Sequence, residues 1–372
     1  MSKVELHSIR ERNRRYDRLI RRFESGEYFL VGGHANPDAD CLASMVATAL
    51  LLRKFEKSVA LVTAGHLPRN LAYLLTIAEY NGVNTKGDLD TTPDTVVICD
   101  TAKPSLLPDA PVLQNGLESA EQLLEVDHHL GGDSRYIAPE EFALVDKASS
   151  ACSLLARLCW KIERRGAPER VFTRNVVVTL LTGMIGDTQM GRVLTTPREV
   201  RMYAMLTGFL DGLLREQTFG SGKFTDSETL YEEMVRLSDA ERAVWKHLMS
   251  ERRIEGAVGY VALAPQESTT LFERYGADVV VAVARTATDR LAEESGRLGL
   301  VVYYDERNEE SLLQCRMRRN YGYTDVDLRA LLERLAINDG GGHPGAIGFR
   351  FPKSRIEDYP RLVERIVVAA NE

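Results

Sequence analysis

Between Glu27 and about residue 145 the chain alternates short apolar runs with longer stretches whose apolar residues recur at helical spacing. The runs EYFLV (27–31), SVALVTA (58–64), DTVVICD (94–100), QLLEVD (122–127) and FALVD (142–146) predict strands, and three of them end in Asp. Helices are expected at Cys41–Phe55 and Leu67–Tyr80. This βαβ rhythm gives the expected fold class: α/β, with a mostly parallel, doubly wound sheet carrying helices on both faces. Ahead of it, SIRERNRRYDRLIRRFESG (8–26) places Ile9, Tyr16, Leu19, Ile20 and Phe23 among arginines, as in an amphipathic surface helix. Glu5, Glu11, Asp17 and Glu24 dilute the basic charge and weigh against a membrane or RNA contact there.

Helical spacing dominates from Ser149 to about Leu214, including ASSACSLLARLCWKIERRG (148–166) and TRNVVVTLLTGMIGDTQ (173–189). The polar, glycine-containing tract 215–228 marks a boundary, and the pattern at 228–249 predicts one connecting helix. Further strands are expected at GAVGYVALA (256–264), ADVVVAVAR (277–285), LGLVVYYD (298–305) and SLLQCRMRR (311–319). The helix DVDLRALLERLA (325–336) and the tract NDGGGHPGAIGFRF (338–351) follow. The expected organisation is therefore a surface helix over 1–26, a catalytic domain over 27–214, a helical linker over 215–250, and a smaller mixed-sheet α/β domain over 251–372.

Composition changes this picture little. A chain of 372 residues favours two domains, and 44% hydrophobic with 27% charged residues is ordinary for a globular protein. A net charge of −7 argues against a broad basic face that coats long nucleic acid, yet leaves room for a small phosphorylated substrate gripped by a few arginines. Cys41, Cys99, Cys152, Cys159 and Cys315 are odd in number and form no C-x-x-C pair, as expected of reduced packing residues in a cytoplasmic protein. The N-terminal stretch has no secretory apolar core, and no apolar run is long enough to span a membrane.

The candidate chemistry begins at GGHANPDADCLAS (32–44), where His34, Asp38 and Asp40 occupy a strand-to-helix loop. Alone they are weak, since Asp38 could simply cap a helix. However, Asp100 closes TVVICD, Asp127-His128-His129 closes LLEVDHH, and Asp187 lies in GMIGDTQ. In a parallel sheet the C-terminal strand ends share one edge, so these residues converge on one crevice. Carboxylates so crowded cannot all stay ionised unless cations neutralise them. A thiolate-free Asp/His set suits Mn²⁺, with Mg²⁺, Fe²⁺ and Zn²⁺ as alternatives. His7, His66 and His247 lie outside these motifs and are read as ordinary.

HANPDAD, CDTA, VDHH and GMIGDT, in this order, resemble the four motifs of the DHH phosphoesterase family, and GGGHPGAIGF resembles the signature of the DHH-associated C-terminal domain. That family includes RecJ-like nucleases, nano-RNases that also dephosphorylate 3′-phosphoadenosine 5′-phosphate, cyclic-dinucleotide hydrolases and family II pyrophosphatases. The resemblance implies two divalent ions. His34, Asp38 and Asp100 would hold one; Asp40, Asp100, His128 and Asp187 would hold the other, with Asp100 bridging. His129 would contact substrate phosphate or support the metal shell, with Asp127 orienting His128 or its neighbour. Asn36 and Ser44 match the first motif but need only be structural.

In the C-terminal domain the resemblance makes Gly340, Gly341, Gly342 and His343 a substrate-binding loop. Consecutive glycines also let backbone N–H groups approach a phosphate, although a plain glycine-rich turn would account for the glycines. Arg318 aligns with the arginine of the family's Ser-Leu-Arg-Ser strand, where CRMRRN replaces the flanking serines. Strand alternation places Arg316 and Arg318 on one face and Arg319 on the other, so the first two could clamp a phosphate or form a solvated basic edge.

The expected activity is hydrolysis of short oligoribonucleotides, in the manner of a nano-RNase, or of 3′-phosphoadenosine 5′-phosphate. Linear or cyclic dinucleotides are the alternative substrates, and a non-catalytic nucleotide sensor is the rival from another class. Expected partners are a short RNA or phosphorylated nucleotide, with no long-DNA coating and no membrane; the resemblance allows a homodimer.

Overall fold

The first five apolar runs form one sheet because each is covered on both faces. The computed structural model describes the chain apart from residues 1, 7, 66, 88–90, 132, 167–168, 189, 195, 214–223, 225, 306–312, 324, 338 and 357. Strands β1 (Tyr28–Gly32), β2 (Ser58–Val62), β3 (Thr95–Cys99), β4 (Gln122–Asp127) and β5 (Ala143–Val145) pair in parallel, in the order β2-β1-β3-β4-β5. Val31 sits opposite Leu61 on one side and Val97 on the other. Alternate residues serve two cores. Phe29, Val31, Val97, Cys99 and Val126 face the larger one, while Leu30, Val96 and Ile98 face a smaller one closed by Leu113.

The helices of this half are α1 (Ile9–Ser25), α2 (Ala39–Lys54), α3 (Ala72–Tyr80), α4 (Pro111–Ser119), α5 (Ala151–Arg164), α6 (Arg174–Thr188), α7 (Pro197–Gly208) and α8 (Ser227–Met234). Helix α4, which the hydrophobic pattern did not single out, covers the smaller core. The others whose burial is decisive lie on the opposite face: α1 through Tyr16, Leu19, Ile20 and Phe23, and α2 and α6 buried along nearly their whole length. The expected helix from Leu67 is shortened to α3, preceded by a single 3-10 turn at Arg69–Leu71. The expected boundary tract 215–228 falls largely outside the described residues, as do His7 and His66.

The chain divides into two compact units, Met1–Arg236 and Leu237–Glu372. The single helix expected over 228–249 is instead two, α8 and α9 (Asp239–Ser250). Ser238 caps α9 by accepting from the Glu241 N–H while the Glu241 carboxylate accepts from the Ser238 N–H, a reciprocal start signal that overrides the continuous apolar spacing.

In the second unit, β6 (Arg253–Glu255), β7 (Val258–Ala262), β8 (Leu298–Tyr304), β9 (Leu313–Arg319), β10 (Gly340–His343) and β11 (Ala346–Phe351) form a mixed sheet in the order β10-β11-β9-β8-β7-β6. Only β7 and β8 pair in parallel. Helices α10 (Pro265–Tyr275), α11 (Ala277–Ser295), α12 (Arg329–Arg334) and α13 (Tyr359–Asn371) join α9 in this unit. The expected strand at ADVVVAVAR is the first half of α11. Its valines suit a strand locally, but Val280, Val283, Ala284, Ala287, Leu291 and Ala292 bury at helical spacing, and the period over nineteen residues prevails. Helix α11 lies close to β7 and β8 because Gly259 and Gly299 leave no side chain between: a Cβ at Gly259 would stand 2.6 Å from the Leu291 carbonyl oxygen. Among the described residues no helix is long and apolar enough to cross a membrane.

Candidate metal centre

Strand order reverses between β1 and β3, so their C-terminal ends diverge into a crevice, the usual ligand position of a doubly wound sheet. His34 follows β1 there, Asp100 follows β3, and Asp127-His128-His129 leaves β4. Asp100 and Asn36 both adopt left-handed backbone, with φ of 45° and 53°. Asp and Asn tolerate that conformation best among residues with a Cβ, and strain of this kind gathers at functional sites.

Two helices add further carboxylates. Asp38 caps α2 by accepting from the Cys41 N–H, and Asp40 is carried on the first turn of α2. Asp40 is buried and accepts from the Ala151 and Cys152 N–H groups at 2.5 and 3.0 Å, at the start of α5. Asp187 comes from the last turn of α6. The glycines of GMIGD explain how α6 comes so near: a Cβ at Gly183 would lie 2.5 Å from Asp40 Oδ1, and one at Gly186 would lie 2.7 Å from the Ala39 Cβ.

His128 is the meeting point. Its Nδ1–H donates to the Ala148 carbonyl at 3.2 Å, which leaves Nε2 as the lone-pair nitrogen of the neutral ring. Nε2 faces Asp100 Oδ1 at 3.2 Å, Asp187 Oδ2 at 3.3 Å and Asp40 Oδ2 at 3.9 Å. Asp100 Oδ1 is buried and accepts no hydrogen bond.

The titration behaviour reports the same crowding. Burial, then the Asp100 charge, pushes Asp40 up to about 7. Burial and the Asp40 charge push Asp187 well above the usual carboxylate range. Burial opposes the charged form of His128, but Asp100, Asp187 and Asp40 outweigh it and raise the ring well above its ordinary value. Asp100 itself is held low, because His128 and His129 outweigh its burial.

The remaining expected ligands lie beside this group. His34 Nε2 is 3.9 Å from Asp38 Oδ1, and ligand atoms of His34, Asp100 and Cys41 fall within 4.8 Å of one another. Asp38 is not part of that set. Cys41, one of five free and buried cysteines, was expected mostly to pack; its proximity to two metal-competent groups has no sequence signal beyond its place one residue after Asp40. Asp40, His128 and Asp187 form a second such set, and Asp100, His128 and His129 a third.

His129 is held differently. Its Nδ1 donates to Asp127 Oδ1 at 2.7 Å, so Asp127 orients His129 and not His128. Behind Asp127 stands Lys3, whose buried ammonium lies 2.6 Å from both Asp127 Oδ2 and Glu125 Oε1 and donates to the Thr101 carbonyl. Burial would raise Asp127, but His129 and Lys3 hold it far below the usual carboxylate range. Sequence reasoning missed Lys3 because it lies more than 120 positions from its carboxylate partners. The charged Glu125, set between the apolar Leu124 and Val126 of β4, was the one available hint.

The donors suit divalent cations. Three carboxylates surround a nitrogen that offers its lone pair once the ring is neutral, Asp100 Oδ1 lacks a donor, and oxygen with imidazole ligands fits Mn²⁺, Mg²⁺, Fe²⁺ or Zn²⁺.

In the second unit the expected phosphate-binding residues resolve into distinct situations. Arg316 and Arg318 share the sheet face covered by α11, opposite Val301 and Gly299. Arg318 Nη1 is ion-paired to Asp289 Oδ2 of α11 at 3.0 Å, whereas Arg316 has no carboxylate partner among the described residues. Arg319 points to the other face and donates to the Val326 carbonyl. Gly340, Gly341, Gly342 and His343 are not a loop: they form β10, paired antiparallel with β11, because GGGH and AIGF close a two-residue hairpin at Pro344-Gly345. Gly342, at φ 141°, has no room for a Cβ against the Ala346 carbonyl. The His343 side chain falls outside what is described.

Residues 28–184 match the family model described as DHH family, N-terminal domain. Among solved structures, an exopolyphosphatase-related protein from Bacteroides fragilis superposes with a TM-score of 0.69 at 16% identity, over 96% of both chains. RecJ in complex with Mn²⁺ from Thermus thermophilus gives 0.50 at 15% identity, over 99% of this chain and 56% of that one. At such identities the likeness is one of fold. No curated protein matches the chain in sequence. With its N-terminal motifs gathered at the switch point of a doubly wound sheet, residues 28–184 of the chain carry the N-terminal domain of the DHH family.

Proposed function

We propose that this DHH-family phosphoesterase hydrolyses short oligoribonucleotides or 3′-phosphoadenosine 5′-phosphate with the aid of two divalent cations, Mn²⁺ foremost. The observation that carries the reading is His128 Nε2 facing three carboxylate oxygens within 3.9 Å, an arrangement that must hold either retained protons or cations. His128, Asp40, Asp187 and Asp100 would hold one ion; Asp100, His34 and Asp38 would hold the other, with Cys41 beside them. When bound, the ions supply charge neutralisation and Lewis acidity at phosphoryl oxygens.

The chain's own groups set the geometry. The Ala148 carbonyl fixes the His128 ring, and the Ala151 and Cys152 amides fix Asp40, so neither side chain must reorganise when substrate arrives. The Asp127 carboxylate binds His129 Nδ1–H and favours the imidazolium, whose remaining N–H can donate to a phosphate oxygen or to the departing alkoxide. In the second unit, Arg316 and the β10 backbone are the groups offered to a phosphate or nucleotide.

The test is turnover with added Mn²⁺ across di- to decaribonucleotides, 3′-phosphoadenosine 5′-phosphate, linear and cyclic dinucleotides, and pyrophosphate, with product sizes followed over time. Preference for two- to five-nucleotide RNA or for 3′-phosphoadenosine 5′-phosphate supports the assignment. Tight nucleotide binding without turnover under any metal overturns it in favour of a sensor.

A further inference from the structure

On the outer side of α1, α5 and α7, within the first unit, a cavity of about 740 Å³ is lined by cations and aromatics and by no carboxylate. The volume is in the range of sites that enclose a ligand of nucleotide size. Arg157, Arg164, Arg198 and Arg201 have no carboxylate partner among the described residues. The other three cations, Arg12, Arg165 and Lys161, are tied to Asp146 or Asp17. Such a concentration is unexpected in a chain of net charge −7, because four unbalanced guanidiniums in one concavity repel each other.

The interior between these cations is apolar and aromatic. Tyr16 is buried at the base, with Arg157 and Lys161 over its ring at 5.8 and 5.6 Å. Trp160 is 40% exposed, and Met202 and Met205 are only partly buried. A purely inorganic anion would use the cations and leave Trp160 and the methionines wet. An aromatic base with attached phosphates uses both.

We propose that this cavity is a second, metal-independent binding site for a phosphorylated nucleotide, free or at the end of a strand. Arg198 and Arg201 from α7, with Arg157 and Arg164 from α5, bind the phosphates, and Trp160 stacks on the base. Because no carboxylate lines it, divalent metal ions contribute nothing to binding there, which separates it from the centre formed by Asp40, Asp100 and Asp187.

The experiment uses the full chain with Trp245→Phe, which leaves Trp160 as the single tryptophan, in EDTA. Its fluorescence is followed during titration with ATP, tripolyphosphate, a five-nucleotide RNA and a hexaglutamate peptide. The expected result is saturable quenching by ATP or the RNA, weakened by salt. Which of the two binds more tightly tells a free nucleotide from a strand end. Arg198→Glu with Arg201→Glu, both exposed, should raise the dissociation constant about tenfold or more, the loss of two charge-assisted contacts. Trp160→Ala, followed by calorimetry, should weaken ATP and spare tripolyphosphate. Asp187→Asn should change nothing in EDTA. Absence of saturation by both nucleotide probes, a requirement for divalent metal, indifference to the double substitution, or equal binding of hexaglutamate overturns the proposal.

Discussion

The Nδ1 of His128 lies 3.2 Å from the carbonyl oxygen of Ala148, and this bond determines the electrostatics of the centre. A ring anchored through Nδ1 must offer Nε2 to Asp40, Asp100 and Asp187. In the metal-free protein the crowded groups respond by keeping protons: Asp40 rises to about 7, and Asp187 and His128 rise as well. Each then binds more protons folded than unfolded. For the two carboxylates, stability falls as pH rises from the ordinary carboxylate range through their raised values. For His128, the contribution is full below the ordinary imidazole value and is lost as pH rises through the raised one. Asp100 and Asp127 are lowered and act oppositely, but only at acid pH, where their stabilisation is lost as pH falls.

Cation binding must displace the retained protons, so Mn²⁺ affinity should climb from about pH 6 to about pH 8, with proton release. Calorimetry in two buffers of different ionisation enthalpy counts the protons. A binding enthalpy identical in both buffers at the lower pH would contradict the crowding described.

Asp100 combines left-handed backbone with a central place among the ligands. Asn accepts the same φ and has the same shape, so Asp100→Asn removes the charge and leaves the fold. Turnover should drop by more than the ~10–100-fold typical of changes behind a ligand, and bound metal per chain should fall. Unchanged metal content with unchanged turnover would remove Asp100 from the centre. Asp100→Ala is the less informative substitution, because it adds backbone strain to the lost carboxylate.

The centre was legible in the sequence because a parallel sheet gathers strand ends at one edge, so TVVICD and LLEVDHH announced both their strands and their cargo. Legibility failed where local pattern and tertiary context disagree. The valines of 277–285 satisfy a strand until the burial period of all nineteen residues of α11 is counted. The glycines of 340–342 suggest a loop, yet β11 supplies hydrogen-bonding partners that make them a strand. Arg318 looked free because its partner Asp289 lies on α11, whose helical course was hidden by the strand reading of 277–285. Lys3 was invisible for a different reason: a charge buried by a contact 124 positions away leaves no periodic trace.

Lys3 enters the first unit through backbone pairing of residues 2–3 with 134–135. Its ammonium is the shared counter-ion of buried Glu125 and Asp127. Lys3→Met keeps most of the side-chain volume and removes the shared ammonium, leaving Glu125 with backbone N–H donors alone and Asp127 with His129, a change that costs about 3–5 kcal/mol. Denaturant melts should show that loss. Because Asp127 would then take up a proton more readily and hold His129 less firmly, kcat should fall while bound metal stays constant. A variant as stable and as active as the parent would show that the buried triad supports neither the fold nor His129.

Gly183 and Gly186 allow a matched comparison on one helix. Replacing either by Ala improves the intrinsic helix preference of α6 by about 1 kcal/mol, and either methyl meets the first turn of α2 or its neighbours. At Gly186 the obstacle is the Ala39 Cβ; at Gly183 the obstacles are Cys152 Sγ and Asp40 Oδ1. Overpacking costs about 1–3 kcal/mol, so both variants should lose some stability. Only Gly183→Ala pushes on a carboxylate fixed by two backbone amides, so its Mn²⁺ affinity should fall further than that of Gly186→Ala at similar stability. Equal metal affinity in the two variants, with a Tm loss in both, would mean that Asp40 accommodates the methyl and that the close approach at Gly183 serves packing alone.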